Sequence, residues 1–261
     1  MPIDRELKTT FDDVADIYDE VRPEYPEQLI EDVIVLSGIP AKGNILEIGC
    51  GSGKATLPFA RRKYAMLCLE LGPRLAQLAI KHCRPYPDIE IRNISFEEWP
   101  LQEKSFDLVI CAEAFHWISP EVRFAKAAAA LKNGGAIALF WNSHHTGKTV
   151  FFRTVERIYQ QWAPQLVEHR SKPSEELEKE TVREIDESGL FGKVVVRRYP
   201  WCEKYTTERY VKLLETYSPI QSLADDVRQD VLEDIRGLIE LEGGTVECEY
   251  VSRLYVARVK R

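Results

Sequence analysis

Short apolar runs alternate with stretches of helical periodicity through the middle of this chain, and that alternation predicts most of its architecture. Ile45–Ile48, Ala65–Leu69, a run near 89–94, Phe106–Cys111 and Ala136–Trp141 read as buried strands. Amphipathic stretches near 54–63, 73–83 and 120–132 read as helices between them, and a further helix spans Pro26–Ser37 and stops at Gly38. A βα alternation of this kind specifies a parallel sheet with helices on both faces. After Trp141 the pattern changes. Residues 148–187 are mostly charged and helical, with Phe152 and Trp162 as apolar anchors. Val194–Tyr199 reads as a sixth strand, 206–242 as a second helical block, and Val246–Val259 as the last strand. Segments inserted after C-terminal strand ends sit above the ligand edge of an α/β sheet. We therefore expect one domain over 1–261, with a core of about 27–147, 190–205 and 244–261 and a helical cap of about 1–26, 148–189 and 206–243.

The first strand runs into Gly49, Gly51 and Gly53, spaced G-x-G-x-G, and the second ends at Glu70. Glycine suits a strand-to-helix turn where backbone must pass close to a ligand, because a Cβ would collide with it. A carboxylate at the end of the second strand can accept from both hydroxyls of a ribose. The unit thus reads as a nucleoside grip. A pyrophosphate on the helix N-terminus would want no anion nearby. Here Glu47 precedes the glycines, no Lys or Arg occurs from Asn44 to Gly53, and the third glycine comes one residue early for the dinucleotide spacing. The loop better suits a ligand without phosphate that carries positive charge, and S-adenosyl-L-methionine, with its sulfonium and ammonium, fits.

Composition narrows the surroundings. With 44% hydrophobic residues there is ample material for a core, and no apolar stretch approaches the length of a membrane span. The N-terminus lacks the apolar region of a secretory signal. Six cysteines are scattered with no C-x-x-C pair, which reads as reduced thiols in a cytoplasmic protein. A net charge of −7 gives no global field for nucleic acid, so neither nucleic acid nor membrane is expected as a partner. The paired His144 and His145 lack a matching acid or cysteine cluster, and no metal is expected. The run from Ser174 to Ser188 reads as a solvated helix face with i,i+4 pairs.

LEIGCGSG at 46–53, together with Glu70, FDLV at 106–109 and the Gly134-Gly135 turn, resembles the class I S-adenosylmethionine-dependent methyltransferases. YDEVRPEYP at 18–26 and CAEAFHWI at 111–118 look like the small-molecule subfamily that includes trans-aconitate methyltransferase. The resemblance implies a Rossmann-like, mostly parallel sheet of seven strands whose last strand is antiparallel, S-adenosyl-L-homocysteine as product, and a small-molecule acceptor, with a carboxylic acid as one candidate. It assigns Gly49, Gly51 and Gly53, with Cys50 among them, to the methionine part of the cofactor. Glu47 orders the loop, Glu70 takes the ribose hydroxyls and Leu71 packs on adenine. An aspartate of the relatives that meets the adenine amine is replaced here by Ser95, a weaker neutral contact. Phe96 offers a backbone N–H and an aromatic face, and Ala112 and Glu113 lie near the cofactor. Tyr18, Arg22 and Tyr25 close over it.

Methyl transfer from a sulfonium asks the protein mainly for alignment and exclusion of water, and for a base when the acceptor is a hydroxyl, amine or carbon acid. His116 is the candidate catalytic residue, as base or as substrate-positioning donor, with a wall-forming loop histidine as the competing reading. Trp117, Trp141 and Trp201 would face the sulfonium, wall a substrate pocket or belong to the core. Arg22 would pair with a carboxylate or be solvated, and Tyr217 and Ser218 would reach the pocket from the cap. An NAD-dependent oxidoreductase and a non-catalytic nucleoside-binding protein of the same fold stand as alternatives, the former opposed by Glu47 and the glycine spacing.

Overall fold

A computed structural model of the protein describes residue 12 and residues 14–144, 149–168 and 174–260. Helices α1 (Ala15–Val21) and α2 (Glu27–Ser37) lead into β1 (Asn44–Ile48), α3 (Thr56–Arg61), β2 (Ala65–Glu70), α4 (Pro73–Cys83), β3 (Ile89–Asn93) and β4 (Phe106–Ala112). A 3₁₀ turn at Phe115–Trp117 precedes α5 (Pro120–Ala130) and β5 (Leu131–His144). Then follow α6 (Val150–Trp162), α7 (Pro164–Glu168), α8 (Ser174–Glu187), β6 (Val195–Thr206), α9 (Thr207–Glu215), α10 (Ser218–Gln221), α11 (Asp225–Leu241) and β7 (Thr245–Arg258).

The strands form one seven-stranded sheet in the order β3-β2-β1-β4-β5-β7-β6. β1 pairs in parallel with β2 and β4, and β7 runs antiparallel between β5 and β6. This is the Rossmann-like sheet with an antiparallel last strand. The strand order reverses direction at β1, so the C-terminal ends of β1 and β4 flank a crevice. Side chains alternate between two apolar layers. Ile45, Leu108 and Ile110 face α2 to α4 through Leu29, Phe59 and Ala79. Leu46, Val109 and Cys111 face the other layer with Phe124 and Phe191.

β6, at 12 residues, is longer than the Val194–Tyr199 run the sequence indicated, while β7 has the expected 14 residues, displaced by one position. Their upper ends leave the sheet and join a third apolar cluster, where Tyr205, Cys248 and Tyr250 pack with Val21 of α1, Phe152 of α6, Tyr210 of α9 and Ile235 of α11. That cluster is the core of the cap. Helix α8, whose sequence reads as charged throughout, packs elsewhere. Its Ile185 is fully buried in the sheet layer beside Phe191, and Glu184 pairs with Arg123 of α5 at 3.0 Å. Among the described residues, no helix is long and apolar enough to cross a membrane.

Candidate active site

The turn after β1 has the geometry its glycines foretell. Gly49, Gly51 and Gly53 adopt φ of 69°, 57° and 93°, a region that penalises any Cβ. At Gly49 a Cβ would also come within 2.5 Å of the Ala114 Cβ, so β1 and the segment after β4 touch through this glycine. The turn is moored to β2: the N–H groups of Gly49 and Cys50 both donate to the Leu69 carbonyl, at 2.8 and 3.1 Å. Glu70 then reaches over. One of its carboxylate oxygens accepts from Gly51 N–H at 2.7 Å and the other from Gly72 N–H at 2.8 Å. Burial pushes its carboxyl up, opposed by those backbone donors. Each oxygen keeps a further lone pair for a ligand hydroxyl. Beneath the turn, Glu47 is fully buried, accepting from Thr56 Oγ1 at 2.6 Å, and burial raises it to about 7.

A cavity of about 1070 Å³ opens over this turn. Its walls include Tyr18, Arg22, Gly49, Gly51, Glu70, Leu71, Ser95, Phe96, Ala112, His116, Trp117 and Tyr217, so the structure gathers these sequence-predicted residues in one place. Leu71 is 41% exposed there, an apolar side chain that an adenine face would cover. The Ser95 hydroxyl donates to Glu98 Oε2 at 3.0 Å and accepts from Glu98 N–H at 3.1 Å, which leaves it an acceptor only. The Phe96 ring is buried against Trp99 in the sheet layer, so only its edge and backbone remain for the cavity.

Six predicted residues stand outside the cavity wall, Tyr25 among them in a smaller recess. Glu47 lies below the turn, and Gly53 approaches α4, where a Cβ would sit 3.7 Å from Ala79. Cys50 lines a smaller recess of about 100 Å³ beside Lys54 and Tyr250. Trp141 packs edge-on against Tyr255 and donates from Nε1 to His116 Nδ1 at 3.4 Å. Trp201 is stacked on Tyr250 at 4.5 Å and donates from Nε1 to Ser252 Oγ at 2.8 Å.

Trp141 decides the state of His116. Because Nδ1 accepts, the ring proton sits on Nε2. His116 is open to the cavity but enclosed by protein elsewhere, and burial, with a smaller push from Arg123, lowers it to about 4. A neutral imidazole whose outward nitrogen already carries a proton is a donor rather than a base. Arg22 has a second engagement: its Nε and Nη2 donate to the Thr216 hydroxyl and carbonyl at 2.8 and 2.6 Å. Its guanidinium also lies over the rings of Tyr217 and Tyr18, at 4.5 and 5.0 Å. The N-terminal segment is thereby fastened to the cap across the cavity mouth.

Sequence reasoning missed several parts. Asn93, at the end of β3, donates from Nδ2 to the carbonyls of Glu70 and Leu71 at 2.9 and 2.8 Å and fixes the β2 end. Asp12 accepts from Arg74 and Leu75 N–H at 2.8 and 3.0 Å, drawing the N-terminal segment onto the start of α4. Glu113, which the resemblance places near the cofactor, has φ of 61° and turns its carboxylate inward to accept from Asn142 N–H. Among the described residues no group of three or more His, Cys, Asp or Glu side chains could hold a metal ion, and His145 lies outside those residues.

Residues 45–135 match the methyltransferase domain family. The chain is 28% identical over 230 residues to an uncharacterized methyltransferase-like protein of Schizosaccharomyces pombe, covering 87% of this chain and 84% of that protein. A second uncharacterized methyltransferase of that yeast is 27% identical over 240 residues, with 91% and 88% covered. Among solved structures, Haemonchus contortus phosphoethanolamine N-methyltransferase 2 in complex with S-adenosyl-L-methionine shares the fold, with a TM-score of 0.56 and 16% identity over 99% of this chain and 59% of that one. Fold, glycine turn and relatives together define an S-adenosylmethionine-dependent methyltransferase. The pocket residues fit that cofactor: an acid with two free lone pairs, an uncovered leucine, and a turn without cations.

Proposed function

We propose that this methyltransferase acts on a small, largely apolar acceptor that is neutral or basic. The observation that carries this reading is the continuity of one cavity from Glu70 and the glycine turn to Tyr159, Leu214 and Ile220 of the cap. At about 1070 Å³ it exceeds the upper end of ordinary ligand pockets, roughly 300–1,000 Å³, which fits two ligands held together. The cofactor supplies a methyl group already activated on a sulfonium. Gly49, Gly51, Glu70 and Leu71 would hold it, and the cap would exclude water and orient the acceptor through Trp117, Tyr217 and the Nε2–H of His116.

Charge weighs against a polycarboxylic acid, the acceptor that the aconitate-like sequence features suggest. Among the described residues of the wall, Arg22 carries the only positive charge, and Thr216 takes two of its donors. Opposite it stand Asp12, Glu70, Glu97, Glu98, Glu113 and Glu156. An anionic acceptor would meet this excess without the dedicated Arg forks such ligands use. The buried thiols fit a cytoplasmic setting. Calorimetric titration with S-adenosylmethionine and S-adenosylhomocysteine, followed by labelled methyl transfer to small alcohols, amines and carboxylic acids, tests the reading. Absence of cofactor binding would remove it. Transfer to polycarboxylic acids alone would overturn the acceptor assignment.

A further inference from the structure

We infer that Glu113 is the catalytic base of this enzyme, taking the proton from an acceptor hydroxyl or amine as the methyl group arrives. The inference rests on the methyltransferase reading and names the acceptor class within it. It begins with placement. Glu113 follows the last residue of β4, the strand beside β1, and its neighbour Ala114 touches Gly49. It therefore stands where the cofactor turn and the acceptor chamber meet, and it lines the cavity.

The backbone pays a conformational cost to put it there. Glu113 is a non-glycine residue at φ of 61°, and such strain persists only when surrounding contacts enforce it. The contacts are visible. Its N–H donates to Phe140 O at 3.0 Å, and Asn142 N–H donates to its Oε1. Asn142 is itself fixed, accepting from Ser252 Oγ at 2.5 Å and donating to Glu24 O at 3.3 Å. One carboxylate oxygen is thus held by the protein while the group faces the cavity.

The charged and titratable groups around it come from several elements: Arg22 and Tyr18 from the N-terminal segment, Tyr25 ahead of α2, Cys111 on β4, and Tyr217 ahead of α10. Burial pushes its carboxyl up to about 7, against the Asn142 N–H and Arg22, which pull it down. A base poised there suits chemistry near neutral pH. His116, kept neutral with its proton on Nε2, is left as donor, and the two neighbours divide the acid and base tasks as paired groups of shifted pKa do.

In the step, the acceptor O–H or N–H bond breaks and its proton passes to a Glu113 carboxylate oxygen. The electron pair left on the acceptor forms the bond to the methyl carbon, and the C–S pair stays on sulfur in S-adenosylhomocysteine. The proton leaves Glu113 to solvent after product release. A carboxylate acceptor would need no such base.

Glu113→Gln and Glu113→Asp, measured against the wild type, test this in two ways. The expected result is a fall in kcat of at least about a hundredfold in Glu113→Gln with a small alcohol or amine acceptor, partial recovery in Glu113→Asp, and S-adenosylmethionine affinity within about threefold. The acidic limb of the wild-type rate profile, near pH 7, should vanish in the glutamine variant. The second measurement needs no acceptor. Calorimetry of S-adenosylmethionine binding at pH 6.5, in buffers of different ionisation enthalpy, should show proton release from the wild type as the cationic ligand drives Glu113 to its charged form. That release should shrink in Glu113→Gln. Equal proton release in both proteins, parallel losses of affinity and rate, or methylation of carboxylic acids alone would overturn the assignment.

Discussion

Glu70→Gln is the sharpest probe of the cofactor site, because the wild-type carboxylate accepts at both oxygens in a way an amide cannot copy. Its two oxygens accept from Gly51 and Gly72 N–H at 2.7 and 2.8 Å, in a position only 8% exposed. An amide has one oxygen, so one of the two backbone donors must face an NH₂ group and lose its acceptor. A hydrogen bond to a charged group contributes about 1.5–3 kcal/mol, and one such bond to the turn disappears. The remaining oxygen is neutral, so any bond to a ligand hydroxyl weakens as well. The turn bond is present without ligand and so bears on stability. Taking instead the loss of one ligand hydroxyl bond to the charged carboxylate, and about 1.4 kcal/mol per tenfold, affinity for S-adenosylmethionine should fall roughly 10- to 150-fold. Calorimetry with S-adenosylmethionine and S-adenosylhomocysteine measures this, with circular dichroism to show that the fold persists. A dissociation constant within threefold of wild type in a folded variant would refute the argument that Glu70 holds both the turn and the ligand.

Gly49→Ala places a Cβ 2.5 Å from that of Ala114 at φ of 69°, so chemical denaturation should show a loss of at least about 1–2 kcal/mol from the left-handed backbone alone, together with weakened cofactor binding. His116→Ala should lower turnover far more than cofactor affinity, since the ring meets the acceptor side of the cavity, and equal losses in kcat and binding would defeat that placement. For Glu47, raised by burial to about 7 from an ordinary value of 4.5, the native state binds the proton more tightly than the unfolded chain does. Stability of the ligand-free protein should therefore fall as pH rises from about 4.5 through 7, and Glu47→Gln should flatten that slope in a melting-temperature series.

The parts of this fold that the sequence declares are those whose local pattern matches their surroundings. β2 is an unbroken apolar run because it is covered on both faces, and Glu70 ends it at the ligand edge, so its boundaries and role show in one dimension. The upper end of β6 does not show. Cys202, Glu203 and Lys204 alternate with exposure because one side faces solvent while Tyr205 enters the cap, and the partners that keep the strand extended lie on β7. α8 hides its attachment for the opposite reason: a single fully buried residue, Ile185, anchors a helix that otherwise reads as solvated. In the site, the glycines and Glu70 are legible because backbone geometry demands those residue types. Arg22 is legible as a charge but not as a fastening, because Thr216 is its partner from far along the chain. The tautomer of His116 depends likewise on Trp141, which its own neighbours do not reveal.

Three carboxylates around the cofactor end show how environment divides one side-chain type among tasks. Glu47 lies under the turn with no exposed surface and a hydroxyl donor, so nothing dissolved in the cavity can reach it. Glu70 has both oxygens committed to backbone N–H groups on either side of the crevice, which fixes its position and makes it a static acceptor for hydroxyls. Glu113 receives one backbone donor, faces the cavity, and sits opposite an arginine whose donors are partly spent on Thr216. Proton transfer requires a group that is fixed at one end and open at the other, with both protonation states accessible near neutral pH. Burial has raised all three, but Glu47 has no access to the cavity and both Glu70 oxygens are held by backbone donors, whereas Glu113 joins the shift to an oxygen left open toward the space where an acceptor must lie. Access to the cavity and the way each oxygen is held, more than pKa, separate scaffold, grip and base.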